Sequence, residues 1–255
     1  MLDRYIVDND IILLPNRAMF IRSLNALVIA DLHLGIEYAL ALKGIFLPAY
    51  QFREIREIIE KYIRDLSPEK LIVVGDFKHE FAQKTLQEHK ETLKLLEIIR
   101  GTNIHFILVR GNHDNFIRGI LSKYNVDFKD PYHVDGNYLF IHGHKEIPPE
   151  ILSQKRRIKY VIMAHEHPAI LFRDEVGGKA KIPVFLVGHY PELEAKLIVL
   201  PALSPIATGV EVNISFASDF LSPILQKMDI DLFKPIASLD KGLLDLPLIS
   251  QLRIF

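Results

Sequence analysis

Five short apolar stretches of this sequence each lead into residues of the types that bind metal ions. Ile, Leu and Val are abundant in these stretches, which is typical of buried β-strands. The stretches cover residues 24–30, 71–75, 104–110, 138–141 and 160–164. Because open α/β sheets carry their functional sites at the carboxyl ends of the strands, we expect the residues that follow these stretches to lie close together.

Amphipathic segments separate the first three stretches. Residues 52–66 carry apolar side chains at helical spacing, and residues 85–100 repeat that pattern. This strand–helix–strand order predicts βαβ units and therefore an α/β fold. The second half of the chain is richer in strands, and three further strands are predicted there. They cover residues 184–187, 197–200 and 210–216.

Prolines divide the remaining segments. Pro148 and Pro149 suit the first turn of a short helix that would run to about Arg157. The tail, residues 217–255, has three prolines between apolar clusters, which predicts irregular segments and short helices. We expect this tail to pack on the core or at a dimer interface. With 255 residues, 49% of them hydrophobic, the chain can form one domain over residues 1–255 with a sizeable core.

Composition restricts the chemistry that the chain can perform. There is no cysteine, which excludes disulfides, thiolate nucleophiles, iron–sulfur clusters and cysteine zinc sites. Any metal must therefore be held by nitrogen and oxygen atoms. The formal net charge of −1 provides no overall positive field, so contacts with nucleic acid would have to be local. No signal-peptide pattern and no apolar run near the ~18 residues of a membrane helix is found. These features predict a cytoplasmic protein without membrane contact.

The residues that follow the five apolar stretches are carboxylates, one amide and several imidazoles. They are Asp31, His33, Asp76, Asn112, His142, His165 and His167. Two pairs among them are spaced i, i+2, and in extended chain both members of such a pair point the same way. Imidazole with carboxylate suits manganese, iron, nickel or zinc better than magnesium. Seven ligands are too many for one tetrahedral zinc and suit two ions that share a carboxylate, an arrangement used for in-line attack at phosphorus.

The five segments, in this order, resemble the calcineurin-type metallophosphoesterase superfamily, whose pattern is D-x-H, G-D, G-N-H-D, H and x-H-x-H. The match spans residues 31–167. Within the superfamily, residues 30–37 and 75–80 resemble the archaeal SbcD-related phosphoesterases, and residues 201–202 and 209–213 also fit that subgroup. The resemblance implies a four-layer αββα sandwich, in which two mixed β-sheets are flanked by helices and a dinuclear site lies on top.

The same resemblance implies a role for each motif residue. Two sets of three residues would each hold one divalent ion: Asp31, His33 and His167 the first, and Asn112, His142 and His165 the second. Asp76 would bridge the two ions. A hydroxide that bridges the ions would attack phosphorus, and His113 would protonate the leaving oxygen or stabilise its charge. Manganese is the expected metal, with iron, nickel or zinc as alternatives.

Four residues beside the motifs have roles that the sequence leaves open. Many relatives have a second Asp three residues after the bridging carboxylate, where it orients the catalytic imidazole. Here that position is His79. Asp114, another carboxylate or a backbone carbonyl could orient His113 instead, or His79 could join the substrate pocket. His144 could orient the preceding ligand or the substrate. Arg110 could contact a substrate phosphate, or form a salt bridge behind its loop.

These features predict a dinuclear-metal phosphodiesterase whose substrate is a nucleic acid or a nucleotide. The alternative is a phosphomonoesterase that acts on a nucleotide or phosphoprotein, with which residues 110–114 are compatible. A binding scaffold without turnover is disfavoured, because no ligand position is lost. A complete break-repair nuclease is also disfavoured, because only 88 residues follow His167. Binding of duplex DNA would then need a homodimer or a partner.

Overall fold

The computed structural model of the chain describes residues 1–80, 85–174 and 176–254. Within these residues, two β-sheets pack face to face. The first sheet has seven strands, which lie side by side in chain order: β1 (Tyr5–Ile6), β2 (Ile11–Leu14), β3 (Ala18–Ile21), β4 (Ala26–Ala30), β5 (Lys70–Val74), β6 (His105–Val109) and β7 (Asp127–Lys129). Strands β1 to β4 are antiparallel and β4 to β7 are parallel, so the sheet is mixed.

The second sheet, counted over the same residues, has eight strands. They are β8 (Tyr132–Asp135), β9 (Tyr138–Ile141), β10 (Tyr160–Met163), β11 (Ala169–Arg173), β12 (Lys179–Tyr190), β13 (Ala195–Val199), β14 (Lys234–Leu239) and β15 (Gly242–Asp245). Their spatial order is β15-β14-β12-β13-β10-β9-β8, and β11 pairs with β12. Strands β9, β10 and β13 are parallel and the other pairs are antiparallel.

Helices cover the outer face of each sheet. The helices are α1 (Ile36–Leu42), α2 (Gln51–Leu66), α3 (Leu86–Arg100), α4 (Arg118–Leu121), α5 (Pro149–Leu152) and α6 (Ile249–Leu252), with 3₁₀ turns at Ser122–Tyr124, Ala217–Asp219, Leu225–Lys227 and Ile230–Leu232. Apolar residues of α2 and α3 pack on the first sheet, and those of α5 and α6 pack on the second. Among the described residues, no helix has both the length and the apolar character that a bilayer span requires.

The two long helices follow the pattern that the sequence predicts. On α2 the residues at helical spacing, including Ile55, Ile59 and Tyr62, are buried against the first sheet. Helix α3 begins after Thr85, whose Oγ1 accepts a hydrogen bond of 3.1 Å from the amide of Glu88. Such an N-cap stabilises a helix start by about 1 kcal/mol. Two mixed sheets between helical layers confirm the predicted αββα sandwich.

Two local predictions are wrong, and a third is incomplete. Residues 210–216 were expected to form a strand, but they turn after a single bridge between Ala169 and Glu211. The helix that begins at Pro149 ends at Leu152 rather than near residue 157, and turns follow it. The prolines of the tail suggested irregular structure and short helices, but the tail also adds strands β14 and β15 to the second sheet. Pro235 does not prevent this, since it lies inside β14 opposite Leu186.

The tail is otherwise anchored by apolar side chains. Phe220, Ile224 and Leu225 are almost fully buried in the core between the second sheet and its helices. The last residue of the tail, Phe255, lies outside the described residues. The segment after β13 is therefore part of the packed structure over the range that is described.

Candidate metal centre

The registers of the parallel strands bring the motif residues to one edge of the molecule. In the first sheet, Ala30 pairs with Val74 and Val74 pairs with Val109, so β4, β5 and β6 end level with one another. In the second sheet, Ile141 pairs with Met163, so β9 and β10 also end level. Side chains that follow these five strands then meet across the interface between the sheets.

Three groups of potential ligand atoms result. One of them, His33, His79 and His113, consists of imidazoles alone, and the other two, called the first and second cluster below, each combine a carboxylate with two imidazoles. Within each cluster the carboxylate oxygens and imidazole nitrogens lie within 4.8 Å of one another. The first cluster contains Asp31, His33 and His167, and the second contains Asp76, His142 and His165. In the first cluster, His167 Nε2 lies 3.1 Å from Asp31 Oδ2 and 3.3 Å from His33 Nε2. Atoms at these separations can converge on one ion.

Asp76, a member of the second cluster, also approaches the first. Its Oδ2 atom is 3.5 Å from His142 Nε2 in the second cluster and 3.9 Å from His33 Nε2 in the first. His142 also connects the clusters, because its Nε2 atom is 3.2 Å from Asp31 Oδ1. A carboxylate in this position can contribute one oxygen to each of two neighbouring ions.

Asn112 supplies a direct test of whether a metal fits. Its Oδ1 atom is buried and has no hydrogen-bond partner among the described residues. An unpaired buried amide oxygen costs free energy unless it has a partner that the protein itself does not provide. The next residue, His113, donates its backbone amide to Asp76 Oδ1 at 2.9 Å, which places this loop beside the shared carboxylate. The donor set of imidazole, carboxylate and amide oxygen therefore fits two divalent cations.

The backbone at the site is strained. Five residues of the two clusters have positive φ angles between 22° and 75°: Asp31, His33, Asp76, His165 and His167. Such conformations cost of order 1–3 kcal/mol each and concentrate at functional sites. They also correct the expectation that the i, i+2 pairs lie in extended chain. Their side chains converge through left-handed turns, and the intervening Leu32 is buried in the core.

Two glycines of the motifs allow close contacts between the ligand residues. A Cβ atom on Gly75 would lie 1.9 Å from Cδ2 of His142, and one on Gly111 would lie 2.0 Å from Oδ1 of Asp76. No side chain fits at either position. The glycines of the G-D and G-N-H-D segments are therefore required by the packing of the site.

Two imidazoles of the clusters are each contacted by a further histidine on the side away from Asp76. His142 Nδ1 lies 2.9 Å from Nδ1 of His144, and His33 Nδ1 lies 3.3 Å from Nδ1 of His79. Contacts of this kind fix the ring orientation of a metal-ligating histidine. Of the roles left open for His144, orienting the preceding residue is the one that its contact supports. For His79 the expected place was the substrate pocket, and its contact with His33 instead sets it beside the first cluster.

His113 faces the centre from the first sheet. Its Nε2 atom lies 3.9 Å from Asp76 Oδ2, and its Nδ1 atom donates a hydrogen bond to the backbone carbonyl of His79. Asp114 is buried, and its oxygens accept hydrogen bonds from the amides of Phe77 at 2.9 Å and Gly111 at 2.8 Å. Of the groups that were expected to orient His113, a backbone carbonyl is therefore the one that contacts its Nδ1 atom. Asp114 instead holds two motif loops together.

Arg110 forms the salt bridge that was one of its two expected roles. One terminal nitrogen of its guanidinium lies 2.9 Å from Asp130 Oδ2, and the other donates to Asn115 Oδ1 at 2.8 Å. These contacts lie behind the loop that carries the G-N-H-D segment. The described contacts of Arg110 do not include either cluster.

Sequence reasoning missed a layer of support beneath His33. Gln51 donates from Nε2 to the carbonyl of His33 at 2.9 Å, and its Oε1 accepts from Ser204 Oγ at 2.7 Å. Glu37 is buried rather than solvated, and it accepts from the amides of Tyr50 and Gln51 at the start of α2. One signal was present: Gln51 lies four residues before Ile55, on the buried face of α2.

Burial and neighbouring charges shift the pKa values of the cluster histidines. Burial and the charge of His142 lower the pKa of His165 to about 3, and burial also lowers the pKa of His33. Both rings are therefore neutral near pH 7, the form in which imidazole binds metals. Burial opposes the charged form of His142, but Asp76 and Asp31 outweigh it and raise its pKa to about 9. Binding of a cation by His142 would therefore release a proton.

Comparison with known proteins identifies the family. The family model for the calcineurin-like phosphoesterases matches residues 24–233. The chain therefore belongs to this family, and it is a metal-dependent phosphoric ester hydrolase. No curated protein sequence matches the chain significantly.

Solved structures to which the chain is similar include a nuclease and a phosphoesterase. The nuclease MPE of Pseudomonas putida has a TM-score of 0.64 and 18% identity, over 92% of this chain and 94% of that one. The phosphoesterase Yfce of E. coli has a TM-score of 0.42 and 12% identity, over 88% of this chain and 98% of that one. At 18% identity, the likeness to the nuclease MPE shows a shared fold and nothing more. The likeness to Yfce, with its TM-score of 0.42, supports no conclusion about this chain.

Proposed function

We propose that the protein is a two-metal phosphodiesterase that acts on a nucleic acid or a nucleotide. The observation that carries this proposal is the pair of three-residue clusters, in which Asp76 of the second also approaches the first, together with Oδ1 of Asn112, which has no partner among the described residues. The fold shared with a protein named as a nuclease supports the choice of substrate. The motifs at residues 30–37 and 75–80, which resemble those of archaeal SbcD-related phosphoesterases, support it further.

The proposal assigns ligands to both ions. Asp31, His33 and His167 would hold the first ion, Asn112, His142 and His165 the second, and Asp76 both. When bound, the ions lower the pKa of a water molecule and neutralise charge on the phosphate oxygens. Manganese is the metal we expect, because the donors combine imidazole nitrogen with carboxylate and amide oxygen.

His113 is the proposed general acid. Its Nδ1–H donates a hydrogen bond to the carbonyl of His79, and this contact orients the ring so that Nε2 faces Asp76. The imidazolium then carries a proton on Nε2 that it can give to the leaving oxygen. Asp114 is a positioning residue in this scheme, because it bonds the loops that carry Asp76 and His113.

A phosphomonoesterase is the second candidate, and the contacts of Arg110 argue against it. A monoester carries more negative charge than a diester and would benefit from extra cations at the site. The guanidinium of Arg110 is instead engaged by Asp130 and Asn115. Relative kcat/KM values for matched monoesters and diesters distinguish the two candidates.

Three histidine variants test the proposed function. His33→Ala and His165→Ala remove one proposed ligand from each cluster, whereas His89→Ala removes an exposed histidine of α3. With manganese and bis-p-nitrophenyl phosphate, we expect each cluster variant to lose at least about 100-fold in kcat/KM and to bind less metal. The His89 variant should retain wild-type values. Equal rates and equal metal contents in all three variants would refute the assignment.

Narrower expectations from the sequence stay predictions. They are membership of the SbcD-related subgroup, a single domain over residues 1–255, a homodimer and a cytoplasmic location. Sedimentation of the purified protein and fractionation of cells measure the last two directly.

A further inference from the structure

A cavity of about 210 Å³ lies beside the first cluster. His167 lines one side of it, and Arg17, Lys181 and Ser204 line others. His167 is also a member of the first cluster, so the cavity adjoins the proposed metal centre. None of the motifs that define the family includes Arg17 or Lys181, and the proposed function leaves this cavity without a role.

The wall of the cavity is fixed to the metal centre. The amide of Leu203 donates to the carbonyl of Ala30 at 2.7 Å, and the amide of Ser204 donates to the carbonyl of Asp31 at 3.3 Å. On the opposite side, a Cβ atom on Gly209 would lie 1.5 Å from the carbonyl oxygen of His167, so this loop contacts the backbone of the cluster directly. The cavity therefore keeps a constant position relative to the cluster.

Arg17 brings a positive charge to this cavity. Its guanidinium donates one hydrogen bond, from Nη1 to the carbonyl of Leu203 at 3.0 Å. Among the described residues it forms no ion pair, and the carboxylates of Glu54 and Asp240 act on it only from a longer range. Burial lowers the pKa of Arg17, yet a guanidinium remains charged near pH 7. A partly buried cation without a paired carboxylate is energetically unfavourable unless an anion joins it.

Lys181 adds a second, weaker positive group at the rim. Its Nζ donates to the carbonyl of Gly209 and lies 3.6 Å from Oε1 of Glu211. Glu211 partly neutralises this lysine, so Arg17 is the principal cation of the cavity. A planar guanidinium matches the geometry of a phosphate group, and only one hydrogen bond of the Arg17 guanidinium is found among the described residues.

We propose that this cavity binds a second phosphate of the substrate, one phosphodiester unit away from the phosphate that is cleaved, with Arg17 as its main contact. This inference rests on the proposed function, since it takes the metal centre as the place of cleavage. It narrows the substrate class to nucleic acid strands or nucleotides with more than one phosphate, and it disfavours small diesters with a single phosphate.

Matched dinucleotides test the proposal by kinetics. Dithymidine monophosphate has one phosphate, and its 5′-phosphorylated and 3′-phosphorylated forms have a second phosphate on one side or the other. We expect wild-type kcat/KM to be at least about tenfold higher for one of the phosphorylated forms. Arg17→Met should abolish that preference ratio, and Arg17→Lys should retain part of it. Arg22→Met is the matched control, because Arg22 also donates to one backbone carbonyl, that of Asn9, on the exposed surface.

A binding measurement separates this proposal from the proposed function. In chelator, where no turnover occurs, wild-type protein should bind the preferred phosphorylated dinucleotide at least about fivefold more tightly than the unphosphorylated one. The difference should vanish in Arg17→Met, and thermal unfolding verifies that the variant is folded. If Arg17→Met is unfolded, the test uses Arg17→Lys and Lys181→Gln instead. Each of these variants should show a smaller but measurable reduction in the affinity ratio between the phosphorylated and the unphosphorylated dinucleotide.

The outcomes are distinct. A wild-type protein that cleaves no diester overturns the proposed function, while the binding difference still tests the cavity. A wild-type protein without any preference for a second phosphate, or an Arg17→Met variant that keeps the full preference, overturns the inference about the cavity.

Discussion

The edges of the two sheets contribute unlike chemistry to the proposed metal centre. The first sheet provides both carboxylates, Asp31 and Asp76, together with the amide of Asn112, whereas the second sheet provides only imidazoles. Each cluster nevertheless draws on both sheets, since Asp31 lies with His167 and Asp76 lies with His142. Neither edge holds a complete candidate site by itself, so the proposed centre can form only when the two sheets pack together.

The loops at the two edges are also held differently. Asp114 uses both carboxylate oxygens to accept backbone amides of two motif loops of the first sheet. In the second sheet, Glu166 accepts the amide of Ser222 through Oε1, while its buried Oε2 has no partner among the described residues. The first edge is thus fixed by its own motifs, and the second depends on the chain's tail.

The largest effect should come from the carboxylate that joins the edges. Asp76→Asn keeps the shape of the side chain but removes its negative charge from between the clusters. We expect kcat to fall at least about 10³-fold and bound manganese to fall from two ions towards one per chain. Metal analysis and turnover of bis-p-nitrophenyl phosphate measure both. A variant that keeps two ions and full activity would show that the clusters act independently.

The next effect isolates the proposed general acid of the first edge. His113→Ala should lower kcat by about 10²–10³-fold for a diester with an alkyl leaving group, which needs a proton. For a p-nitrophenyl leaving group, which departs without one, the loss should be less than about tenfold. Metal content should not change. Equal losses for both leaving groups would indicate that His113 has no role in proton transfer.

A smaller effect compares the two orienting histidines. His144→Ala removes the neighbour of His142, and His79→Ala removes the neighbour of His33. Each variant should weaken binding of one ion by about 10–100-fold. Titration with manganese should show one weakened site in each case, while the exposed His89→Ala variant behaves as wild type. No change in either affinity would mean that these contacts are packing alone.

The smallest effect concerns the two buried carboxylates that hold the loops. Asp114→Asn replaces an acceptor oxygen with an amide group that faces backbone N–H donors, and it should cost about 1–3 kcal/mol of unfolding free energy. Glu166→Gln keeps one acceptor, and its NH₂ group takes the place of an oxygen without a partner. Its cost should be under about 1 kcal/mol. Urea unfolding in chelator measures both, and a reversed order would contradict the contrast between the edges.

The sequence predicts the architecture and the position of the clusters because both depend on local patterns. A buried strand followed by Asp31, or by Gly75 and Asp76, can be recognised from neighbouring residues alone. The positive φ angles of these residues could not be predicted in this way, since they result from how the strand ends pack across two sheets. Strand β14 was missed because the prolines of the tail suggested irregular structure, although it pairs with the neighbouring β15 as well as with the distant β12.

The residues around the clusters were the least predictable from the sequence. Gln51 contacts the carbonyl of His33 from a helix that begins 18 residues later. Arg17 reaches the cavity from the turn between β2 and β3, far in sequence from Lys181 and His167. These contacts are long-range and follow no fixed spacing, so a single sequence contains no local signal for them.

The left-handed backbone of the cluster residues has a consequence for the evolution and engineering of this protein. Glycine would relax each of these turns, but it would delete a donor atom from the centre. Asp and His are among the non-glycine residues that tolerate such angles best, and they are also the donors that suit divalent cations. The choice of amino acid at these positions is therefore constrained twice, and attempts to raise thermal stability should be directed at other parts of the chain.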